Sequence, residues 1–269
     1  MTRGGTELNT IDDFGRQWTR FPQMTGYLTT QECLADHFGE LMSIEEFRGK
    51  YVADIGAAIG RIASMVLEAG AARVALIEPS DAYLVLERTF ANDRRVELIR
   101  DVGDAVSRLK DLDFVLAFGV LQFISDPNPI VRAAYSALRP GGKIAIWLYS
   151  HEGNEAYLRI FGTLRRITVR LPDPVLAGLG SFLALVSVPY IALCRLFPLP
   201  LRDYMLNHFA KLDHKMRELT VFDQLNPRYA KYHRREEARA LVADAGFHDV
   251  RLFHRHGYSW TVIGTKPGG

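Results

Sequence analysis

From Lys50 onward the chain alternates short apolar runs with amphipathic segments. KYVADI reads as a strand, and GRIASMVLEAG as a helix that Gly70 stops. ARVALIEP is the next strand, AYLVLERTFAN a helix, and VELIR a third strand. DFVLAFGV is a fourth strand; Pro127 to Leu138 reads as a helix ending at RPGG, and KIAIWLY is a fifth strand. Apolar runs this continuous suit parallel strands covered on both faces. The pattern lapses from about His151 to His233, then resumes with the helix REEARALVADAGF and two strands turning at His256-Gly257. Before Lys50, a polar start gives way to FGRQWTRF, with aromatics on one helical face, and to ECLADHFGELM, which has a helical period.

These elements predict an α/β fold: a doubly wound, mostly parallel seven-stranded sheet that ends in an antiparallel hairpin. They divide the chain into an N-terminal helical segment (1–49), a sheet core (50–150 and 234–269) and a helical, apolar insertion after the fifth strand (151–233).

Composition changes this picture little. The 269 residues are 48% hydrophobic and 24% charged, with a formal charge of +2, so no bulk electrostatic term favours nucleic acid as a partner. Cys33 and Cys194 lie far apart along the chain in apolar surroundings, which fits neither a disulfide framework nor a CxxC metal site and points to a reducing cytoplasm. No ligand cluster has metal-binding spacing. MTRGGTELNTIDDFG lacks the apolar core of a secretory signal.

The chemistry concentrates at strand ends, where a doubly wound sheet binds ligands. The first strand runs into D-I-G-A-A-I-G, Asp54 to Gly60. A dinucleotide site would instead present G-x-G-x-x-G, packing a pyrophosphate on a helix N-terminus. The leading Asp54 would repel a pyrophosphate, and it suits a ligand that carries an ammonium and a sulfonium. ALIEPS places Glu78 and Pro79 after the second strand, DVGDAV follows the third, AFGVLQFISDP follows the fourth, and LRPGGKIAIW enters the fifth.

With these five segments in order, residues 50–150 resemble the Rossmann-like core of a class I S-adenosylmethionine-dependent methyltransferase. The resemblance implies S-adenosylmethionine as cofactor, held by Asp54, Gly56, Ala58 and Gly60. Ala58 stands where the family has its middle glycine, a departure that costs little if φ there is negative. Glu78 would accept the ribose hydroxyls, its two oxygens suiting two O–H donors. Asp104 would accept the adenine amino group and the Ala105 N–H would meet a ring nitrogen, with Asp101 a competing acid. Gly119, Val120, Leu121 and Gln122 would line the cofactor and its methyl. FGRQWTRF resembles a helix that closes over the cofactor in a subset of the family, with Trp18 and Phe21 as a lid.

Methyl transfer to oxygen usually wants a base, most often His. His151, just after the fifth strand, and His233 are the candidates, with His208 and His214 behind them; Tyr149, Asn154 and Tyr157 lie near the same edge, and Tyr229, Tyr232 and His233 are placed to cover the pocket. The uncharged run PVLAGLGSFLALVSVPYIALC admits three readings: a buried cap or homodimer face, a pair of helices dipping into one leaflet through 175–194, or a membrane span. A span would put two parts of one sheet on opposite sides of the bilayer. The expected activity is methyl transfer, most readily O-methylation, to a small or lipid-linked hydrophobic acceptor, in the cytoplasm or at its membrane surface. The alternatives are an NAD(P)-dependent oxidoreductase and a non-catalytic cofactor-binding subunit of a complex.

Overall fold

The computed structural model describes residues 11, 15, 26–155, 157–159, 173–225 and 230–268. Seven strands form one sheet in the order β3-β2-β1-β4-β5-β7-β6. They are β1 Tyr51–Ile55, β2 Arg73–Ile77, β3 Val96–Ile99, β4 Leu112–Phe118, β5 Leu138–Tyr149, β6 His248–Arg255 and β7 Ser259–Thr265. The first five are parallel; β7 runs antiparallel to both β5 and β6. The doubly wound reading and its antiparallel finish are both present.

The helices follow from the same pattern. Gln31–Phe38 (α1) is capped by the Thr30 side chain, which accepts from the Cys33 N–H. Arg61–Glu68 (α2), Tyr83–Thr89 (α3) and Asn128–Ala137 (α4) connect the parallel strands, and Arg235–Ala243 (α8) precedes the hairpin. Their apolar stripes cover two cores, one on each sheet face: Val115, Val131, Ile146 and Val262 on one, Phe47, Val66, Leu76 and Leu116 on the other. The RPGG segment departs from its expected place as a turn between helix and strand. Leu138 already pairs with Leu112, the register then slips, and pairing resumes at Lys143 opposite Phe114.

The insertion forms Asp173–Leu196 (α5), Arg202–Asn207 (α6) and His214–Leu225 (α7). The pair of short helices read from 175–194 is corrected: the whole apolar run is one 24-residue helix with Pro189 inside it. Ala184, Ser187, Ile191 and Cys194 recur at helical spacing and are buried. Ile191 and Cys194 join Leu28, Cys33, Met205, Phe209 and Met216 in a third small core that ties the insertion to α1. The two cysteines, distant in sequence, meet in this cluster as free thiols. The opposite face of α5 carries Phe182, Leu185, Val186, Val188 and Leu193, all exposed.

Candidate active site

The C-terminal ends of β1, β2, β4 and β5 open into a cavity of about 820 Å³, toward the upper end of small-molecule sites. Its two halves differ in chemistry and meet at Phe118-Gly119-Val120, where β4 ends.

The first half is built from the loops after β1, β2 and β3. Gly56 has φ +69, and a Cβ there would lie 2.4 Å from a Val120 methyl, so the loops after β1 and β4 pack backbone against side chain. Ala58 has φ +49. The condition under which alanine would be cheap at that position is therefore not met, and the residue sits in the left-handed region that disfavours a Cβ. Its N–H donates to Glu78 Oε2 at 2.9 Å, and the Ser80 N–H donates to Glu78 Oε1 at 2.9 Å. Each carboxylate oxygen keeps acceptor capacity for a ligand. Gly60 has φ +83, and a Cβ there would meet the Phe90 ring at 2.4 Å; it makes the turn into α2 and does not line the cavity.

Asp54 is 2% exposed, and its Oδ2 has no partner. Burial pushes its carboxyl up to about 7, with the Glu78 charge adding to the rise and Arg61 opposing it. Arg61 opens α2, donates to the Leu28 carbonyl at 3.1 Å, and lines the same wall. A buried acid with an orphan oxygen beside a cation fits the ammonium and carboxylate of an amino-acid group.

Of the two acids after β3, Asp104 lines the cavity, whereas Asp101 pairs with Arg108 at 2.5 Å. The expected role of Ala105 is corrected: its N–H already donates to the Val102 carbonyl at 2.9 Å, and the residue is off the wall. Gly103 faces the cavity instead, where a Cβ would lie 2.8 Å from Ile55. Pro79, Gly119, Val120 and Gln122 line the wall. Trp18 falls outside the described residues.

The second half is aromatic. Trp147 packs edge-on to Tyr149 at 5.4 Å, Tyr149 stacks on Tyr232 at 5.1 Å, and Tyr204 meets Tyr258 edge-on at 4.5 Å. Tyr157 also lines this half; Asn154 does too, but its amide is spent on the Ser150 and Tyr258 carbonyls. Gln122 is fully buried with both amide atoms unpartnered, and the Trp147 indole N–H is unpartnered as well. Both stand over Gly119: a Cβ there would lie 3.9 Å from Gln122 Nε2 and 3.8 Å from the Trp147 ring.

Behind the aromatics, Arg255 is 1% exposed. It donates to Asp36 Oδ2 through Nε at 2.9 Å and Nη2 at 2.6 Å, and to the Tyr258 hydroxyl through Nη1. His256 Nε2 lies 2.8 Å from Asp36 Oδ1. Burial pushes the Asp36 carboxyl up, but the His256 hydrogen bond and the Arg255 charge outweigh it and hold the group well below the usual carboxylate range.

The structure does not bring His151 or His233 to the cavity wall. His233 is 2% exposed, its backbone bridged to Ser150, and burial pulls its imidazole down to about 4. Of the eight histidines, His37 and His208 line the cavity instead. His37, Arg61, Trp147, Arg255 and Tyr258 were missed as site residues in sequence. Only Arg61 had a local signal, as the first residue after the glycine loop; the others arrive by tertiary packing.

Comparison with known proteins agrees with this geometry. Residues 53–144 match the family model of a methyltransferase domain. A tRNA U34 carboxymethyltransferase of Pseudoalteromonas translucida is 32% identical over 118 residues, which are 43% of this chain and 37% of that protein. The chain thus spans well under half the length of this curated relative. Among solved structures, magnesium protoporphyrin IX methyltransferase from Synechocystis with bound SAH superposes with a TM-score of 0.54 at 13% identity, covering 97% of this chain and 99% of that one. An O-methyltransferase family protein from Burkholderia thailandensis gives 0.54 at 14% identity, covering 95% and 59%. At these identities the structural likeness concerns the fold. Residues 53–144 are thus matched to a methyltransferase domain, and the strand order and acid-first loop around them agree with the class I S-adenosylmethionine-dependent fold.

Proposed function

We propose that the protein methylates a hydroxyl on an apolar, ring-bearing acceptor held in the aromatic half of the cavity. One observation carries the reading: the orphan acid Asp54 and the unpartnered Gln122 line one cavity, where Val120 packs on the loop that follows Asp54 at Gly56 and Gly119 packs under Gln122 and Trp147, so that a charged chamber suits the donor and an aromatic one the acceptor. The donor set fits S-adenosylmethionine. Asp54 and Arg61 would hold the ammonium and carboxylate, Glu78 the ribose hydroxyls, and Asp104 the adenine amino group. When bound, this cofactor supplies an electrophilic methyl on a positively charged sulfur. The chain's own work is alignment and exclusion of water. Val120 fixes the cofactor loop through Gly56, Gln122 and the Trp147 N–H offer hydrogen bonds to a polar group on the acceptor, and the Tyr149–Tyr232 stack gives a flat surface for its ring. The test is radiomethyl transfer into an extract of the native cells, partitioned between organic and aqueous phases. Label in the organic phase supports the reading; label on RNA, the substrate class in the names of the curated relatives, would overturn the acceptor class.

The exposed face of α5 supports an acceptor drawn from a lipid surface. Between Asp173 and Asp203 the sequence has no acidic residue, and Arg195 and Arg202 close the apolar run, as expected for a helix lying in an anionic interface. Co-sedimentation with anionic vesicles, lost in Phe182→Ser/Leu185→Ser, is the expected result. A concentration-dependent dimer without vesicle binding would assign the face to a second copy instead.

A further inference from the structure

His37 sits at the end of α1, 5% exposed, on the cavity wall. Its ring stacks on Phe118 at 5.4 Å and tilts against Trp147 at 6.2 Å. It therefore stands over the segment where the donor and acceptor chambers join. Its Nδ1 is 2.6 Å from the Cys33 carbonyl oxygen. A carbonyl only accepts, so Nδ1 carries the proton and Nε2 keeps its lone pair. No described residue donates to that lone pair. An imidazole oriented by a hydrogen bond at one nitrogen, with the other bare toward a ligand chamber, has the arrangement of a general base.

His208, the other histidine on the wall, has the opposite polarity. Its Nδ1 is 3.3 Å from Arg255 Nη2, and a guanidinium only donates, so the Nδ1 lone pair is taken and Nε2 carries the proton. His208 can donate to a ligand and cannot accept from one.

We propose that His37 Nε2 is the general base of methyl transfer and that its partner is an acidic hydroxyl, a phenol or an enol; this rests on the methyltransferase reading above. The acceptor O–H bond breaks as its proton passes to Nε2. The oxygen's electron pair forms the new C–O bond, and the methyl–sulfur pair stays on sulfur, turning the sulfonium into a neutral thioether. Burial, then the charges of Arg255 and Arg61, with a smaller contribution from His208, hold the His37 imidazole well below its ordinary value against the Cys33 hydrogen bond. The base is thus always unprotonated at neutral pH, and it is weak. A weak base matches an aryl or enol hydroxyl better than an alkyl alcohol, and the aromatic walls select the same class.

His37→Asn keeps an N–H where Nδ1 donates to Cys33 and deletes Nε2; His37→Phe keeps the stacking and deletes both. The experiment compares wild type and both variants in radiomethyl transfer to the organic extract of the native cells, with calorimetric titration of S-adenosylhomocysteine in parallel. Both variants are expected to bind the product within twofold of wild type. Transfer should fall 10²-fold or more, within the range for losing a general base, and recover in both variants as pH approaches the acceptor's own pKa. Wild type active with His37→Asn within threefold of it would overturn the role of His37 and leave the methyltransferase reading standing. Loss of product binding in both variants would make His37 a structural residue and also overturn the proposal. No labelled product from wild type would sink the reading on which the proposal rests.

Discussion

Replacing Asp54 by Asn separates what the site needs from what the fold prefers. In the folded protein without ligand, burial raises the Asp54 carboxyl from its ordinary 3.8 to about 7. At about 1.4 kcal/mol for each tenfold change in proton affinity, this corresponds to roughly 4 kcal/mol. The folded-state value lies above the unfolded one, so the folded state binds the extra proton between the two. Stability is then lost as pH rises from about 4 to about 7, and above 7 the ionised carboxylate is a standing cost to the fold. Asparagine cannot ionise and removes that cost, but it leaves a buried amide without a partner, a penalty of roughly 1–3 kcal/mol. The net expectation at pH 8 is a variant more stable than wild type by about 1–3 kcal/mol, or about 2–4 °C for each kcal/mol in a chain of this size. At pH 5, where the wild-type carboxyl is protonated, the advantage should vanish. S-adenosylhomocysteine should raise the wild-type melting temperature and leave that of Asp54→Asn nearly unchanged. Thermal unfolding at pH 5 and 8, with and without this ligand, measures all three. A variant less stable than wild type at pH 8 would refute the reasoning, because Asp54 would then be a structural anchor rather than a charge kept for a ligand.

Three further outcomes follow from the same geometry. Glu78→Ala should weaken S-adenosylhomocysteine binding by roughly 1–3 kcal/mol in calorimetry, since it removes the carboxylate and frees the Ala58 and Ser80 amides at once. Ala58→Gly should raise stability to urea by about 1 kcal/mol by relieving the left-handed strain at φ +49; an unchanged or lower midpoint would show that the strain is already compensated. Asp36→Ala should destabilise the fold by about 3–5 kcal/mol, because it strands the Arg255 guanidinium, 1% exposed, without its counter-charge; a loss under 1 kcal/mol in chemical denaturation would mean that Tyr258 and His208 suffice.

The sheet was legible because each of its first five strands is mostly apolar and is followed by a polar or glycine-containing segment, a local signal. The polar half of the cavity was legible for the same reason: Asp54 near the end of β1, Glu78 just after β2 and Asp104 in the loop after β3 all line it. What lay between those marks was less so. The sign of φ at Ala58 is decided by how the loop closes on Glu78, and the Ala105 amide was claimed by a turn of its own backbone. The apolar run of α5 satisfies a buried cap, a leaflet contact and a span equally well in one dimension. Only packing shows that Ala184, Ser187, Ile191 and Cys194 turn inward while Phe182 and Leu185 do not.

The aromatic half of the cavity was illegible for a physical reason. Its residues come from α1, β5, the insertion and the β6–β7 hairpin, and Asp36–Arg255 joins the first of these to the last across 219 positions. Tyr258 hangs from the same guanidinium, and Tyr204 packs on Tyr258. The polar half, by contrast, is carried by the loops that follow β1, β2 and β3. The Asp36–Arg255 clasp therefore holds Tyr258, and through it Tyr204, on the wall of the aromatic chamber. Asp36→Asn, which keeps the size of the side chain and removes its charge, should leave S-adenosylhomocysteine affinity within about threefold of wild type while lowering methyl transfer far more. Equal losses in both measurements would show that the two halves fold and fail as one.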